Sequence, residues 1–320
     1  MFSVIGAYSE GTFTGGAHQA NFHLYVTEDV TSEYHIEEYN WLFAAEKADS
    51  IGVHIINSSL AYNTFDDSSM DYAPSQMDGN TAISTKAAVL AASKGIIVVN
   101  SVGNSGGTPW QIVAAPADAD GILAVGSVTS TLLRSTFSGV GPTADGRVKP
   151  DVMAQGSGTS KVNSNGTIST SSGTSLSSPL IAALAAGVWQ SYPDFSSNEI
   201  IEAIVQSADR ANNPDNLYGY GIPNFMAVHN YLQNKSIEDE LFVYPNPTVD
   251  SVSLIIKNPS DQPVDIIVFD SQGRLVHEFT SVIQWSNNPQ VLDFTQQPAG
   301  LYIIRVISNN GTSTVRLIKD

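Results

Sequence analysis

The sequence predicts an α/β fold, a mostly parallel sheet with helices on both faces, followed by a small C-terminal antiparallel β-sandwich. Up to about residue 232, short apolar runs of strand type alternate with segments whose apolar residues recur at helical spacing. That alternation implies parallel strands joined by right-handed crossovers. From Leu241 onward the apolar runs are short, Val- and Ile-rich and separated by Pro, Asn and Gly, which is the signature of a sandwich. Between the two, Asn234 to Glu240 is charged and, Ile237 apart, without bulky apolar residues, as suits a linker. The predicted organisation is therefore a domain over 1–232, a linker over 233–240 and a second domain over 241–320.

The 320 residues suffice for one large and one small core. A net charge of −17 argues against nucleic acid or anionic membrane surfaces as partners. With no cysteine, disulfides and thiolate chemistry are excluded. No apolar run is long enough to span a bilayer, and Met1 to Ala7 has neither the basic region nor the cleavage site of a signal peptide.

Taken in order, Met1 to Ala7 reads as the tail of a helix, Gly11 to Gly16 as a loop and Asn21 to Val26 as a strand. Trp41, Leu42, Ala45 and Ala48 put a helix over Glu37 to Ser50, with His35 in the loop before it and Gly52 as its stop. Val53 to Ile56 is a short strand. The acidic loop from Tyr62 to Asn80 holds Asp66, Asp67, Asp71 and Asp78, which offer ligands for calcium, but their spacing is not that of an EF-hand. A solvated loop is the preferred account; no cofactor is expected and a structural calcium stays unassigned. A helix over Thr81 to Lys94, strands over Ile96 to Asn100 and Ile122 to Val128, and a helix from Ser196 to Ala208 with Glu199 at capping-box spacing follow. Phe225 to Leu232 reads as a short closing helix. Strands are expected at 253–256, 265–269, 291–294, 301–307 and 313–318.

The stretch around Ser175 organises the first domain. Ser171-Ser-Gly-Thr-Ser-Leu-Ser-Ser-Pro179 feeds directly into the apolar run Leu180 to Trp189, which puts Ser175 at or just inside a helix N-terminus. Unpaired N–H groups and the helix dipole there favour negative charge beside the hydroxyl, a suitable seat for a nucleophile. The same residues also suit an ordinary helix cap.

Three separated stretches decide between these readings. Gly173-Thr-Ser-Leu-Ser-Ser-Pro179 resembles the nucleophile motif of the subtilisin-like serine proteases. Val99-Asn-Ser-Val-Gly-Asn-Ser-Gly106 resembles the family segment carrying the oxyanion-hole asparagine. Phe137-Ser-Gly-Val-Gly-Pro142 with Asp145-Gly-Arg-Val-Lys-Pro-Asp-Val152 resembles the segment preceding the serine. The resemblance, over residues 1 to about 232, implies a secreted serine endopeptidase acting on protein or peptide substrates. Ser175 would attack the peptide carbonyl while the Asn104 amide and the Ser175 N–H stabilise the oxyanion. It also implies that Ser59, Leu60 and Ala61 stand where the substrate backbone pairs, with Ala61 replacing a frequent glycine, and that Ser101, Val102 and Gly103 form a wall of the first specificity pocket. An esterase of the α/β-hydrolase type is disfavoured, since no Gly-x-Ser-x-Gly surrounds Ser175 and no strand is expected to run directly into it.

The family's base and orienting carboxylate come earlier in the chain than the serine, the histidine in a His-Gly-Thr motif opening a helix. Neither motif is present, and Met1 to Ala7 resembles the continuation of that helix. The expectation is that the gene product starts upstream, with a signal peptide and both motifs, and that these 320 residues alone have negligible peptidase activity. The alternative is a pseudo-protease retained for binding. None of His18, His23, His35, His54, His229 or His277 follows a helix-opening Gly-Thr pattern, and none is assigned as base.

Four C-terminal motifs, Tyr244-Pro-Asn-Pro-Thr248, Phe269-Asp-Ser-Gln-Gly-Arg-Leu-Val276, Pro298-Ala-Gly-Leu-Tyr-Ile-Ile-Arg-Val306 and Val315-Arg-Leu-Ile-Lys-Asp320, together resemble the sorting domain of type IX secretion in Bacteroidetes. That resemblance implies an outer-membrane secretion machinery as partner of residues 241–320, and a secreted or cell-surface location. Ser271-Gln272-Gly273 is expected to be a hairpin loop.

Overall fold

A computed structural model describes residues 1–237, 242–255, 263–282, 290–308 and 311–320. The chain folds as two compact units, Met1–Tyr231 and Leu232–Asp320.

The first unit opens with α1 (Phe2–Gly6), a small antiparallel hairpin of β1 (Tyr8–Ser9) and β2 (Phe13–Thr14), and α2 (His35–Ser50). Strands β3 (Ile55–Ser58), β4 (Ile97–Ser101), β5 (Leu123–Val128) and β6 (Val152–Gln155) form one parallel sheet in that order, with α3 (Ile83–Ser93) crossing between β3 and β4. Ile55 registers with Ile97, Val99 with Leu123 and Val125 with Val152. Every residue of β4 and β5 is buried, as strands covered on both faces must be. A hairpin of β7 (Thr159–Val162) and β8 (Ile168–Ser171) leads to α4 (Thr174–Ser191), then α5 (Ser197–Gln206) and α6 (Phe225–Ile237).

Small side chains set the layering. Helix α4 lies against all four parallel strands, and its buried Ala182, Ala183 and Ala185 let it approach closely. On the opposite face Trp41 and Ala45 of α2 pack with Ala87, Ala88 and Ala91 of α3 over Val98 of β4. The capping box of α5 forms as its spacing implies: Glu199 N–H donates to Ser196 Oγ (3.4 Å) and Ser196 N–H to Glu199 Oε2 (2.9 Å).

Several expectations are corrected. Asn21 to Val26 forms no strand, because a strand needs a ladder partner and none is found among the described residues. Its alternating Leu24 and Val26 are 71% and 94% exposed. His35 is the first residue of α2 rather than a loop residue, and α6 continues beyond Leu232 to Ile237. Residues 238–240 of the expected linker lie outside the described residues.

A buried carboxylate joins the two helices on the outer face. Glu38 of α2 is fully buried; its Oε1 accepts the Ser84 N–H (3.0 Å) and Oγ–H (2.7 Å) in the first turn of α3. Its Oε2 accepts from Tyr72 Oη (2.8 Å) and pairs with His35 Nδ1 (2.6 Å). The carboxylate therefore meets orphan donors and the positive end of the α3 dipole together.

In the second unit β9 (Phe242–Tyr244), β10 (Ser251–Ile255) and β13 (Gln290–Asp293) form a three-stranded antiparallel sheet. Strands β11 (Pro263–Asp270), β12 (Leu275–Val282), β14 (Gly300–Ser308) and β15 (Gly311–Lys319) form a four-stranded one, ordered β12-β11-β14-β15. Val252, Leu254, Leu292 and Phe294 bury against Val264, Ile266, Val268, Tyr302, Ile304, Val306 and Leu317. This is a sandwich core built from alternate residues of each strand. The Ser271–Gly273 loop joins β11 to β12, closed by Asp270 N–H to Arg274 O and with Gly273 at φ +77°.

Glu38→Ala strips the first turn of α3 of its acceptor and leaves Tyr72 and His35 only their 3.5 Å contact with each other. Urea unfolding followed by circular dichroism is expected to show a loss of about 2–4 kcal/mol, with Glu38→Gln losing less.

Candidate active site

Ser175 is the second residue of α4 and half-buried; Gly173 is the N-cap, at φ +152°, a conformation L side chains rarely adopt. Thr174 N–H and Thr174 Oγ–H both donate to Asn104 Oδ1, at 2.9 and 3.0 Å. A backbone N–H can only donate, so the contact settles which end of the amide faces the helix. Asn104 is exposed, and its Nδ2 makes no hydrogen bond among the described residues.

Pro179, inside α4, has no N–H to give to the carbonyl four residues back, which is that of Ser175. Ser59 Oγ–H donates to that carbonyl instead (3.3 Å), and Ser175 Oγ–H donates to Ser59 O at 3.5 Å. Ser178 fastens the same turn to the sheet: its Oγ lies 2.9 Å from Asn57 Oδ1 and 3.4 Å from the carbonyls of both Ser58 and Val99. The ends of β3 and β4 are thus tied to the first turn of α4.

The other predicted residues fall into two groups. Ser59 and Leu60 are half-buried and Ala61 is exposed just past β3; Asn100 Nδ2 holds the Leu60 carbonyl (3.1 Å) and the Ser101 carbonyl (2.8 Å). Ser101, Val102 and Gly103 are all buried, Val102 packing with Val113, Ala117 and Ala124. Gly103 has φ +90°, and a side chain there would touch the methyls of Ala61 and Ala114.

Sequence reasoning missed the stretch Val113–Ala115, which has no chemical motif to betray it. Ala115 exchanges both backbone hydrogen bonds with Tyr62 (2.8 and 3.2 Å), and Ala114 N–H reaches Val102 O (3.3 Å). It also missed the roles of Asn100 and Ser178, small polar residues at strand and helix ends. The segment beginning at Phe137 supports the Asn104 loop: Gly106 N–H donates to Phe137 O (2.8 Å), and any side chain at Gly106 would strike Ser138 O.

Histidine chemistry lies elsewhere. Among the described residues Ser175 Oγ bonds no imidazole; His18 stacks on Tyr8, His54 meets Trp189 edge-on, and His229 Nδ1 shares a hydrogen bond with Tyr192 Oη (2.7 Å). His35 pairs with Glu38, and His277 lies edge-on to Phe294 in the second unit.

Two of the loop carboxylates considered for calcium, Asp67 and Asp78, serve their own backbone. Asp67 accepts from Ser69 N–H and Asp78 from Asn80 and Thr81 N–H; hydrogen bonds from the Ser69 and Thr81 side chains hold both carboxyls below the ordinary range. The described acidic group compact enough to share an ion comes from another stretch: Glu28, Glu33 and Glu37, with oxygens within 4.8 Å of one another. Tyr62 Oη donates to Glu28 Oε1 (2.7 Å), and burial together with that carboxylate pushes its phenol up. Burial, then repulsion from Glu37, Glu28, Asp66 and Glu38, raises the Glu33 carboxyl to about 7.

A hydroxyl at a helix N-terminus thus stands beside an oriented amide, with extended segments bordering both at the carboxyl ends of parallel strands on an α/β scaffold. Residues 3–221 match the subtilase family, and residues 242–320 match the secretion system C-terminal sorting domain. The chain belongs to the subtilase family.

Subtilisin DY of Bacillus licheniformis is 33% identical over 185 residues, 57% of this chain and 59% of that protein. The serine protease AprX of Bacillus subtilis is 31% identical over 154 residues, 41% of this chain and 35% of that protein. The chain therefore spans between about a third and three fifths of these curated relatives. The self-cleaved protease domain of PatA shares the fold with a TM-score of 0.59 at 21% identity, over 72% of this chain and 81% of that one. MycP1 with its N-terminal propeptide removed does so at 0.55 and 23%, over 71% and 76%.

With its folded pKa raised, Glu33 favours the native state while protonated; that stability is full below the ordinary carboxylate range and lost as pH rises through about 7. Glu33→Gln is accordingly expected to raise the melting temperature at pH 8 and leave it unchanged at pH 4. Equal melting at pH 8 would show that Glu33 feels no repulsion.

Proposed function

We propose that the protein is a secreted serine endopeptidase in which Ser175 attacks the substrate carbonyl and the Asn104 amide with the Ser175 N–H stabilises the oxyanion. The observation that carries this is the clamp on Asn104. Its Oδ1 is committed to Thr174, so its N–H groups are the end left to meet developing negative charge. An extended peptide would pair with the backbone of Ser59–Leu60–Ala61, with Ser101–Val102–Gly103 as a wall of the pocket for its first side chain. The 33% identity to a subtilisin over the matched stretch supports the same chemistry.

A serine hydroxyl needs a base, and among the described residues the Ser175 hydroxyl is hydrogen bonded to a carbonyl only. The 320 residues by themselves are proposed to bind but not to hydrolyse. That same observation favours the second reading, an exported binding protein on a protease scaffold.

Residues 242–320 are proposed to address the protein to an outer-membrane secretion machinery, on the strength of the sorting-domain match. No helix among the described residues is long and apolar enough to cross a membrane.

A casein assay on the purified 320-residue chain is expected to show turnover about a millionfold below an intact subtilase, the factor known for triad removal in subtilisin. Cleavage that vanishes in Ser175→Ala would show instead that a base is present. In the host's active protease, Asn104→Ala is expected to lower kcat about 10²–10³-fold with KM little changed, a figure taken over from subtilisin itself.

A further inference from the structure

The four separated C-terminal motifs converge on one end of one sheet. Asp270 of the second motif registers with Tyr302 of the third, and Gly300 of the third with Lys319 of the fourth. Thr248 of the first bridges to Lys319, while the Asn246 side chain completes the ladder, donating to Arg316 O and accepting from Ile318 N–H, both at 2.9 Å.

Tyr302, Ile304 and Val306 fill the sandwich core, so the alternate residues Leu301, Ile303 and Arg305 face outward. At the motif end that outer face is apolar. Ile303 registers with Phe269 and Arg316, and Leu301 with Ile318; Leu301 is 40% and Ile318 49% exposed. Arg305 lies over the Phe269 ring at 5.4 Å, and the carboxylate of Asp270 is already matched by Arg274 at 2.6 Å. Of the other carboxylates of this face, Glu278 and Asp265 register with Ile267 and Ile307, further from the motif end, while the exposed Asp320 follows Ile318 at the end of the ladder. A chain of net charge −17 thus carries, where its motifs meet, an apolar strip rimmed by two arginines that form no ion pair among the described residues.

We propose that this strip, Phe269, Leu301, Ile303 and Ile318 rimmed by Arg305 and Arg316, is the surface that docks on the secretion machinery, against an outer-membrane component presenting apolar side chains flanked by carboxylates. The inference rests on the sorting role proposed above and assigns it a face. Aliphatic anchors supply the buried area, and the arginines complement an acidic rim.

The test introduces Leu301→Asp with Ile318→Asp, and separately Arg305→Glu with Arg316→Glu, at the gene's own locus in its host. Medium and periplasm are then compared by immunoblot. Ile307→Asp with Thr312→Asp, at the far end of the same face, is the control. Each motif-end pair is expected to cut export about tenfold with periplasmic accumulation, and the control pair to leave it unchanged. The exposed charge-reversal pair keeps the test decisive if the aspartate pair disturbs folding, which thermal unfolding of the purified chain monitors. Normal export with the folded charge-reversal pair overturns the proposal, as does equal loss from the control. It is also overturned if the pairs dissolve a dimer of this chain while export stands, since the face then receives a second copy. Deleting 241–320 separates the two levels: export without the domain refutes the sorting role itself, whereas blocked export beside normally exported pairs refutes only the surface.

Discussion

The first unit depends on one junction, the docking of the opening turn of α4 onto the carboxyl ends of β3 and β4. Ser178 reaches Asn57 and the carbonyls of both strands, and Thr174 holds Asn104 by two hydrogen bonds. Pro179 frees the Ser175 carbonyl so that Ser59 can take it. Several of these contacts use backbone groups that a helix or strand end leaves free, the Thr174 N–H and the carbonyls of Ser58 and Ser175 among them. The geometry that satisfies them also brings the Ser175 hydroxyl, the Asn104 amide and the Ser59–Ala61 stretch together.

Around that junction the rest of the unit is support. The buried strands β4 and β5 give the sheet a rigid centre, and the alanines of α4 bring the helix close enough for short hydroxyl contacts. Gly106 lets the Asn104 loop lie on the segment beginning at Phe137, which explains why two motifs about 30 residues apart act as one support. The buried Glu38 network ties α2 to α3 on the opposite face.

Much of this was legible in the sequence, for physical reasons that differ by element. The helix-opening turn at Ser175 was readable because its neighbours are constrained: a glycine at φ +152° before the helix and a proline within it leave few alternatives. Strands β4 and β5 announced themselves by the apolar runs Ile96–Val99 and Ile122–Val125. The hairpin of β7 and β8, Thr159–Val162 with Ile168–Ser171, did not, because its Ser- and Thr-rich strands lack apolar alternation. A strand thus does end shortly before Ser175, though in an antiparallel pair rather than in the parallel sheet. Asn21 to Val26 shows the opposite failure: strand-like alternation is a local property, while a strand exists only where a neighbour offers a ladder. In the second unit the alternation was strong enough to place most strands, but not the convergence of the motifs, which depends on register.

The central claim is that Ser175 and Asn104 form a nucleophile and oxyanion pair. Intact-mass and peptide-mapping measurement of diisopropyl fluorophosphate labelling, on the protease purified from its host, tests it most directly. A single adduct on Ser175, formed about a hundredfold more slowly in Asn104→Ala, is the predicted result. An adduct on another residue, or a rate indifferent to Asn104, would contradict the account.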